Sequence, residues 1–434
     1  MYPVENGWLS SNPIPTKGVT PICTGNLVDI LEIDQAAMSV RVEPMVTMDE
    51  LSRLLIPLGY CIPLLPAAND LTVQELINGG GVGTSGRKYG MFQHICISYE
   101  LVMPDGSLIT ATREKRNESD AQGLFYGIPW SQGTLGILVA ATLRLIPIKP
   151  FVKLTYTPTK SIEEMQSRLI EECQTRENEF VEGIQFSKTN GVVICGRFSE
   201  GSPKNQQAKI NRISRWYKPW YYKHAQKIAS LNEEYTEFVP LQDFHNRHSR
   251  SLFWDMKNFI PFGNTLIFRW LFGWMGPPNI ALYKALIPDV LKVLWQQSNH
   301  SRHDVLIPLD NLTAAMEICD REYGIYPIWL CPYNLPSCPG IVRQRSGRNI
   351  LYVNVGVYGV AKRKGFDRSE STKHLEKFAI SVNGVQIMHG DMRMSRAEFW
   401  QMFDSSLYEW LRVKYNCKDA FFDLYEKICT TLEY

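Results

Sequence analysis

A glycine cluster at residues 79–86 constrains this chain more than any other feature of its sequence. Five of the eight positions in Gly79-Gly-Gly-Val-Gly-Thr-Ser-Gly86 carry no side chain. Such a run costs backbone entropy on folding, and its useful return is a close approach of main-chain N–H groups to an anion or a flat ring. Without further context, a mobile surface loop explains the cluster equally well.

Gly81–Gly86 also matches the pattern G-x-G-x-x-G, but its context argues against a Rossmann fold. A dinucleotide fingerprint follows a strand and opens a helix, so that the pyrophosphate meets the helix N-terminus. Here Asp70–Ile77 predicts a short capped helix before the glycines, and Arg-Lys-Tyr-Gly follows them. We therefore reject the Rossmann interpretation.

Downstream, the sequence predicts a hairpin and a second glycine-bearing segment. Ile95–Met103 and Leu108–Ala111 have strand character and flank the tight-turn signal Pro104-Asp-Gly-Ser107. Ser131-Gln-Gly-Thr-Leu-Gly-Ile137 then leads into a strand at Leu138–Leu145.

Beyond Phe151 the pattern changes. A helix is predicted at Ile162–Glu177, and strands at Gly191–Phe198, Leu351–Tyr358 and Val385–His389. The 434 residues exceed one core, since domains average roughly 150 residues. We predict a domain boundary near residue 150.

Charge and cysteine content exclude several classes of function. The chain has 46 basic and 44 acidic residues and a net charge of +2, which is too small for binding nucleic acid. Its ten cysteines include no Cys-x-x-Cys pair, so we expect reduced, mostly buried thiols in a protein facing the cytosol. The start Met1–Asn6 shows no signal peptide. No apolar run reaches the roughly 18 residues of a membrane-spanning helix.

An aromatic stretch at Asn258–Tyr283 comes nearest to a membrane segment. Arg269 interrupts it and prolines bound it. Two interpretations remain open: a buried core segment, which we favour, and a membrane-interface or lipid-access element with aromatic anchors.

The order of these motifs resembles the FAD-binding domain of the vanillyl-alcohol oxidase and p-cresol methylhydroxylase superfamily. The matching series is Glu43-Pro44, Gly59, Pro63, Asp70–Val73, the glycine cluster, Lys88–Gly90, Leu101–Ser107, Ser131–Ile137 and Thr142–Pro147. Further motifs are similar to those of the delta(24)-sterol reductases, over a likeness that extends from about Trp8 to Cys429. They are Lys88–Cys96, Tyr217–Trp220, His248–Trp254, Ile260–Asn264, Phe272–Met275 and Tyr326–Pro332.

The resemblance implies an α+β fold with a p-cresol methylhydroxylase-type FAD-binding domain at residues 1–150. A mixed α/β substrate or cap domain would follow at 151–434, with a C-terminal segment packing back on the flavin. It also implies non-covalent FAD, NADPH as electron donor and reduction of the double bond between sterol carbons 24 and 25. The expected location is the cytosolic face of the endoplasmic reticulum membrane, with the chain bound peripherally.

Two departures from this family stand out. Its members carry a membrane anchor and the first FAD-domain strand and helix ahead of the point where this sequence begins. Asn6–Ser11 resembles the remnant of the first phosphate-binding loop. We expect either a late start of the gene model or a weakened pyrophosphate site. Relatives also usually carry Tyr-Ala-Asp where this chain has His389-Gly390-Asp391, so no role is inherited from that tyrosine.

The resemblance assigns cofactor contacts to the two glycine-bearing loops. The predicted residues are Gly80, Gly81, Val82, Gly83, Thr84, Ser85, Gly86, Arg87, Lys88, Tyr89, Gly90, Met91, Phe92, Ser131, Gly133, Thr134 and Gly136. Neither loop contains His or Cys, although His94 and Cys96 lie just beyond one of them. This pattern favours non-covalent binding.

The reaction also needs a proton donor beside the alkene, and a channel for the sterol. His389 is the candidate acid, because an ordinary histidine pKa of about 6.5 suits proton transfer; a structural histidine is the alternative. The candidate apolar wall comprises Trp254, Phe259, Phe262, Phe268, Trp270, Phe272 and Trp274. His245 and His248 lack further ligands nearby, so we predict no metal.

Two other functions remain open. The chain could be a flavin dehydrogenase or oxidase of a small alcohol or hydroxy acid, although the charge-poor aromatic stretch argues against small polar substrates. It could also be a flavin-free lipid-binding or scaffold protein. The preferred sterol, the NADPH site and the oligomeric state stay open.

Overall fold

Two β-sheets with helices around them organise the chain. A computed structural model describes residues 2–4, 21–66, 70–113, 119–201, 210–275, 300–345, 347, 350–388 and 392–429. Helices and strands both occur throughout these ranges, so the predicted α+β fold class is confirmed.

The N-terminal part contains short strands and helices up to residue 147. Its strands are β1 (Tyr2–Val4), β2 (Pro21–Cys23), β3 (Ile30–Asp34), β4 (Ser39–Val42), β5 (Tyr60–Cys61), β6 (Cys96–Val102), β7 (Leu108–Thr112), β8 (Ile137–Arg144) and β9 (Ile146–Pro147). Its helices are α1 (Met48–Leu55), α2 (Val73–Gly79), α3 (Gly86–Tyr89) and α4 (Ser119–Gly127).

An antiparallel sheet in the order β3-β4-β8-β6-β7 forms the centre of this part. The predicted hairpin is present as β6 and β7, and Gly106 in its turn has a φ of +83°. Capping boxes start both α1 and α2, through Thr47 with Glu50 and Thr72 with Glu75. The glycine cluster thus follows a helix rather than a strand, which agrees with our rejection of a Rossmann loop.

The C-terminal part contains longer strands. They are β10 (Phe151–Thr159), β11 (Phe180–Ser187), β12 (Asn190–Ser199), β13 (Tyr235–Pro240), β14 (His300–Pro308), β15 (Ile328–Asn334), β16 (Leu351–Val360) and β17 (Val385–Gln386). The helices are α5 (Ile162–Gln174), α6 (Tyr221–Ala229), α7 (Leu241–His245), α8 (Met256–Phe259), α9 (Leu266–Phe272), α10 (Leu312–Glu322), α11 (Arg368–Ser381), α12 (Arg396–Met402), α13 (Ser406–Lys414), α14 (Cys417–Ala420) and α15 (Leu424–Cys429).

These strands form one antiparallel sheet in the order β13-β10-β12-β11-β15-β16-β14-β17. Because side chains alternate along a strand, the sheet has two distinct faces. Helix α5 packs on the outer face, where Met165 lies against Gly183. Helix α6 and the N-terminal part cover the other face, which we call the inner face. There Tyr221 contacts Glu182, and Tyr333 contacts Gly86.

Two predicted element boundaries were wrong. The helix expected to reach Glu177 ends at Gln174, because Thr175 has extended backbone angles. The strand expected at Val385–His389 is paired only over Val385–Gln386, and residues 389–391 lie outside the described part. The expectation for cysteines is confirmed, since all ten are free and seven are buried.

Candidate active site

The first glycine loop, residues 80–85, joins α2 to α3 and packs tightly against its surroundings. Gly80 has a φ of +87°, and a Cβ there would lie 2.5 Å from Cε2 of Trp130. A Cβ on Gly83 would lie 2.7 Å from the carbonyl oxygen of Leu65. Side chains at these two positions would therefore push the loop away from its neighbours.

The backbone of this loop presents a row of amide groups. The N–H groups of Val82, Gly83, Thr84 and Ser85 donate to no acceptor within the described ranges, although all four residues are buried. Buried amides need partners, and consecutive N–H groups in a turn bind anions and carbonyl oxygens. The loop therefore fits a group rich in acceptors, such as a diphosphate or the edge of a flavin ring.

The second glycine loop, residues 130–136, lies directly beside the first. The N–H of Trp130 donates to the carbonyl of Ile77 at 3.0 Å. Trp130, Gln132 and Gly133 have φ values of +69°, +52° and +70°. Positive φ at non-glycine residues is strained and tends to occur at functional sites. The two predicted loops thus lie side by side.

The predicted cofactor residues differ in what their side chains do. All of them are buried except Arg87, Lys88 and Tyr89. The hydroxyls of Ser85 and Thr134 donate to backbone carbonyls of Pro63 and Ser131, each at 2.7 Å, and so shape the loops.

Arg87 and Lys88 point toward the C-terminal part. Arg87 donates to the carbonyl oxygen of Cys173 at 3.1 Å, and Lys88 pairs with Glu179 at 2.8 Å. The N–H of Val181 also donates to the carbonyl of Thr84 at 2.8 Å. These three contacts join the first glycine loop to the region around β11.

The C-terminal helices fix the second glycine loop in the same way. The hydroxyl of Tyr408 in α13 lies 2.9 Å from the hydroxyl of Thr134. The guanidinium of Arg412 in the same helix donates to the carbonyl oxygen of Thr134 at 3.0 Å. Lys427 of α15 donates to the carbonyl of Gln132 at 2.5 Å. Both loops are therefore held by residues that lie far away in sequence.

A buried charged cluster occupies the inner face of the larger sheet beside these loops. Glu182 accepts hydrogen bonds from Arg247 at 3.0 and 3.1 Å and from the indole of Trp329 at 2.9 Å. His248 lies 3.5 Å from the same carboxylate. Burial alone would raise the pKa of Glu182, but Arg247 and His248 outweigh it and hold that pKa well below the ordinary range.

Comparisons with known proteins agree with this geometry. Residues 6–112 match the family model of the FAD binding domain. A delta(24)-sterol reductase homologue of Caenorhabditis elegans is 45% identical over 98% of this chain and 82% of its own length. The delta(24)-sterol reductase of Homo sapiens is 44% identical over 93% and 77% of the two chains, and that of Arabidopsis thaliana 36% identical over 93% and 75%.

The chain belongs to the delta(24)-sterol reductase family. Its predicted FAD-binding character is thereby confirmed, with the family model matching residues 6–112.

In this family member, the described part of the aromatic stretch, residues 258–275, carries many exposed apolar side chains, and our preferred interpretation of a buried core was wrong for that part. Helix α9 has no buried residue, because its apolar side chains find no partner layer among the described elements. Exposed apolar side chains on and around α9 form what we call the aromatic patch: Phe262, Leu266, Ile267, Trp270, Leu271, Phe272 and Trp274. Ile267 alone is 74% exposed. Within the described residues, no helix is long and apolar enough to cross a membrane.

The other predicted wall residues are distributed differently. Trp254 is fully buried and donates from its indole to the carbonyl of Tyr358 at 2.8 Å. Phe268 is half-buried, and the side chain of Phe259 lies outside the description. The structure therefore does not bring the seven predicted aromatic residues into one wall.

Two further predictions fall on residues that are not described. They are His389, the candidate acid, and Asn6–Ser11, the candidate remnant of the first phosphate-binding loop, which lie outside the described ranges. His245 and His248 are described and buried, and His248 stacks on Phe253 with ring centres 4.4 Å apart. Over the described ranges, no group of three or more His, Cys, Asp or Glu side chains is arranged to hold a metal.

Sequence reasoning missed the polar residues of the inner face. Asn354 lies within a predominantly apolar strand, whereas Glu182 and Asp304 lie in strands that carry several polar residues. For Asn354 the available signal is a polar residue inside an apolar strand, because buried polar groups require partners. The sequence alone does not identify the hydrogen-bond partner of each of these side chains.

Proposed function

We propose that this chain reduces the double bond between carbons 24 and 25 of a sterol side chain, with NADPH as electron donor. The observation that carries the proposal is the row of buried amides from Val82 to Ser85, held between the two sheets in a chain of this reductase family. Residues 1–150 would bind FAD, and 151–434 would cover the substrate.

The residues present fit FAD. Its acceptor atoms would lie along the amides of the first glycine loop, while Gly133 and Gly136 of the second loop would allow close approach on the other side. Bound FAD would supply the redox chemistry, with NADPH as the source of the hydride and the sterol as its acceptor. The chain's own residues bind the cofactor, orient the alkene and exclude water. His389 remains the sequence-based candidate for the acid.

The surroundings of the buried charged cluster favour an apolar group over a carboxylate. A carboxylate substrate needs an unpaired arginine, and Arg247 of this cluster is already paired with Glu182. Phe253 and Trp329 pack beside that pair, with ring centres 5.1 Å apart. The described surroundings of the buried cluster are thus aromatic rather than anion-binding.

An anaerobic flavin assay tests this function. The purified protein is reduced with NADPH and then mixed with a sterol that carries the C24=C25 double bond, or with a 2-oxo acid. We expect the sterol to restore the visible absorbance of oxidised flavin, with no response to the oxo acid. The opposite selectivity would favour the hydroxy-acid enzyme, and a colourless protein would favour the flavin-free scaffold.

We also propose that the aromatic patch docks on the cytosolic face of the endoplasmic reticulum membrane. Trp270 packs on Tyr217 with ring centres 5.7 Å apart, and the exposed side chains of Arg212 and Arg215 lie in the adjoining segment. Aromatic side chains beside basic ones suit the interface of a bilayer that contains anionic lipid. Buried Arg250 donates to the carbonyl oxygens of Arg215 and Trp216 at 2.6 and 2.9 Å, which holds that segment in place.

Vesicle binding tests the docking proposal. Changing Trp270 and Phe272 to Asp removes two aromatic groups, each worth about 1.5–3 kcal/mol when buried. We expect affinity for phosphatidylcholine–phosphatidylserine vesicles to fall by about a hundredfold or more, with flavin content unchanged. The matched control changes exposed Trp410 and Val413 to Asp. Equal losses in both double variants would contradict docking through this patch.

A further inference from the structure

A second polar cluster lies on the inner face, on the two strands beyond β15. Asp304 of β14 stands opposite Gly356 of β16, between Asn354 and Tyr358. Its Oδ1 accepts a hydrogen bond from Nδ2 of Asn354 at 2.8 Å and another from the hydroxyl of Tyr358. A Cβ on Gly356 would lie 2.5 Å from that hydroxyl. Glycine at this position therefore leaves the space in which the tyrosine reaches the carboxyl group.

The cluster is fixed at one carboxyl oxygen and open at the other. Asn354 is fully buried and Tyr358 is 4% exposed, while Asp304 is partly exposed. Oδ2 of Asp304 has no hydrogen-bond partner within the described ranges. A carboxyl group held in this way has a defined orientation and one oxygen free to act on another molecule.

The surroundings of the cluster are aromatic. The ring of Tyr358 lies 5.2 Å from that of Phe253 and 5.7 Å from that of Trp254, and Arg302 lies over it at 5.4 Å. Leu252 and Phe253 both have positive φ, at +42° and +61°. Two consecutive bulky residues in this conformation are strained, and here the strain places an aromatic ring beside Tyr358.

The inner face also connects this cluster to the glycine loops. Tyr333 of β15, which contacts Gly86, lies opposite Tyr352 of β16, two residues from Asn354. Neighbouring strands are about 4.8 Å apart and successive residues advance about 3.3 Å along a strand. Asp304 lies two strands and four residues from Tyr333, so it is roughly 16 Å away across the same face. A cofactor on the glycine loops and a sterol side chain against the sheet would together have to span this distance.

We propose that Asp304 is the acid that protonates carbon 24 of the sterol side chain, with Asn354 and Tyr358 as positioning residues. This inference rests on the proposed function. The O–H bond at Oδ2 breaks and a C–H bond forms at carbon 24 from the two π electrons. Carbon 25, which is tertiary, carries the positive charge until it receives the hydride that the reduced cofactor supplies. Solvent then reprotonates the carboxylate.

Protonation of an isolated alkene requires a carboxylic acid rather than a weaker proton donor. An isolated alkene is a weak base with no carbonyl to polarise it, so a tyrosine hydroxyl or a neutral imidazole is a poor donor. As the proton leaves Asp304, the two hydrogen bonds at Oδ1 stabilise the new carboxylate.

Asp304→Asn tests the assignment without removing the structural contacts. The amide oxygen still accepts both hydrogen bonds, and only the transferable proton is lost. In anaerobic stopped-flow mixing, reduction of bound flavin by NADPH should stay within about twofold of the unmodified protein. Reoxidation by the sterol should slow by about 10²–10⁴-fold, the usual range for a lost general acid. The control Asp310→Asn, at an exposed position beyond β14, should leave both rates unchanged.

Tyr358→Phe serves as a second variant, because it keeps the acid and weakens its support. We expect a smaller slowing, again confined to reoxidation by the sterol. The assignment would be overturned if Asp304→Asn and Tyr358→Phe were both reoxidised by the sterol as fast as the control. It would also be overturned if, among these variants, only His389→Gln lost reoxidation. If the unmodified protein is reduced by NADPH but not reoxidised by the sterol, the proposed function itself fails, and the acid assignment with it.

Discussion

Gly80 and Gly59 have the same backbone angle but different surroundings. Both have a φ of +87°, yet a Cβ on Gly59 meets nothing within 4 Å, whereas one on Gly80 overlaps the ring of Trp130. We expect Gly59→Ala to cost about 1–2 kcal/mol from backbone strain alone. Gly80→Ala should cost about 1–3 kcal/mol more from overpacking, and should also lower flavin content, because it displaces the amide row.

Urea denaturation and the absorbance of bound flavin check both variants. Equal stability losses would mean that the contact with Trp130 does not constrain the loop. Normal flavin content in Gly80→Ala would mean that the first glycine loop is not part of the cofactor site.

At this scale, the sequence predicted a close approach of the glycines to a ligand, which stays a prediction. It did not predict that Gly80 and Gly83 also make room for Trp130 and Leu65. Those partners come from other segments, so no local pattern identifies them. Arg87 and Lys88 stay predicted beside the cofactor, and the sequence did not predict that their side chains contact the carbonyl oxygen of Cys173 and the carboxylate of Glu179.

Among the elements, β11 and the turn after α7 are joined by the buried pair of Glu182 and Arg247. Removing the arginine leaves a buried carboxylate without its main partner, which typically costs 3–5 kcal/mol. We expect Arg247→Met to destabilise the protein by about this amount at pH 7. The double variant with Glu182→Gln should recover part of the loss.

The pH dependence of this effect follows from the pKa of Glu182, which lies below its ordinary value in the folded protein. The pair therefore stabilises the fold above the ordinary carboxyl pKa of about 4.3, and this stabilisation falls as the pH drops further. The deficit of Arg247→Met, measured by urea denaturation, should shrink toward pH 4. A deficit that is constant with pH would mean that packing, rather than charge, accounts for the loss.

The sequence predicted where several helices and strands lie, but it did not predict how exposed to solvent they are. Capping residues and turn signals located α2 and the hairpin of β6 and β7 from local sequence. Helix α9 has the composition of a core segment, and its burial depends on whether other elements cover it. Because that coverage is a property of the whole fold, the aromatic stretch could be read as core or surface from sequence alone.

On the scale of the whole molecule, the site is assembled from distant parts of the chain. Thr134 and Tyr408 meet across 274 residues, and Glu182 and Trp329 across 147. The domain order and the FAD-binding character were predicted from motif order. The polar clusters of the inner face were not predicted, because a polar residue within a strand does not indicate which strand lies beside it.

The most direct test of sterol reduction is product analysis after one turnover in heavy water. Flavin-bound protein is reduced with NADPH and mixed with a sterol that contains the C24=C25 double bond, and the product is examined by mass spectrometry and NMR. We expect a saturated side chain with deuterium at carbon 24, because the proton adds there and the hydride adds at carbon 25. Recovery of the sterol with its double bond intact, from protein whose flavin NADPH has fully reduced, would contradict the central claim.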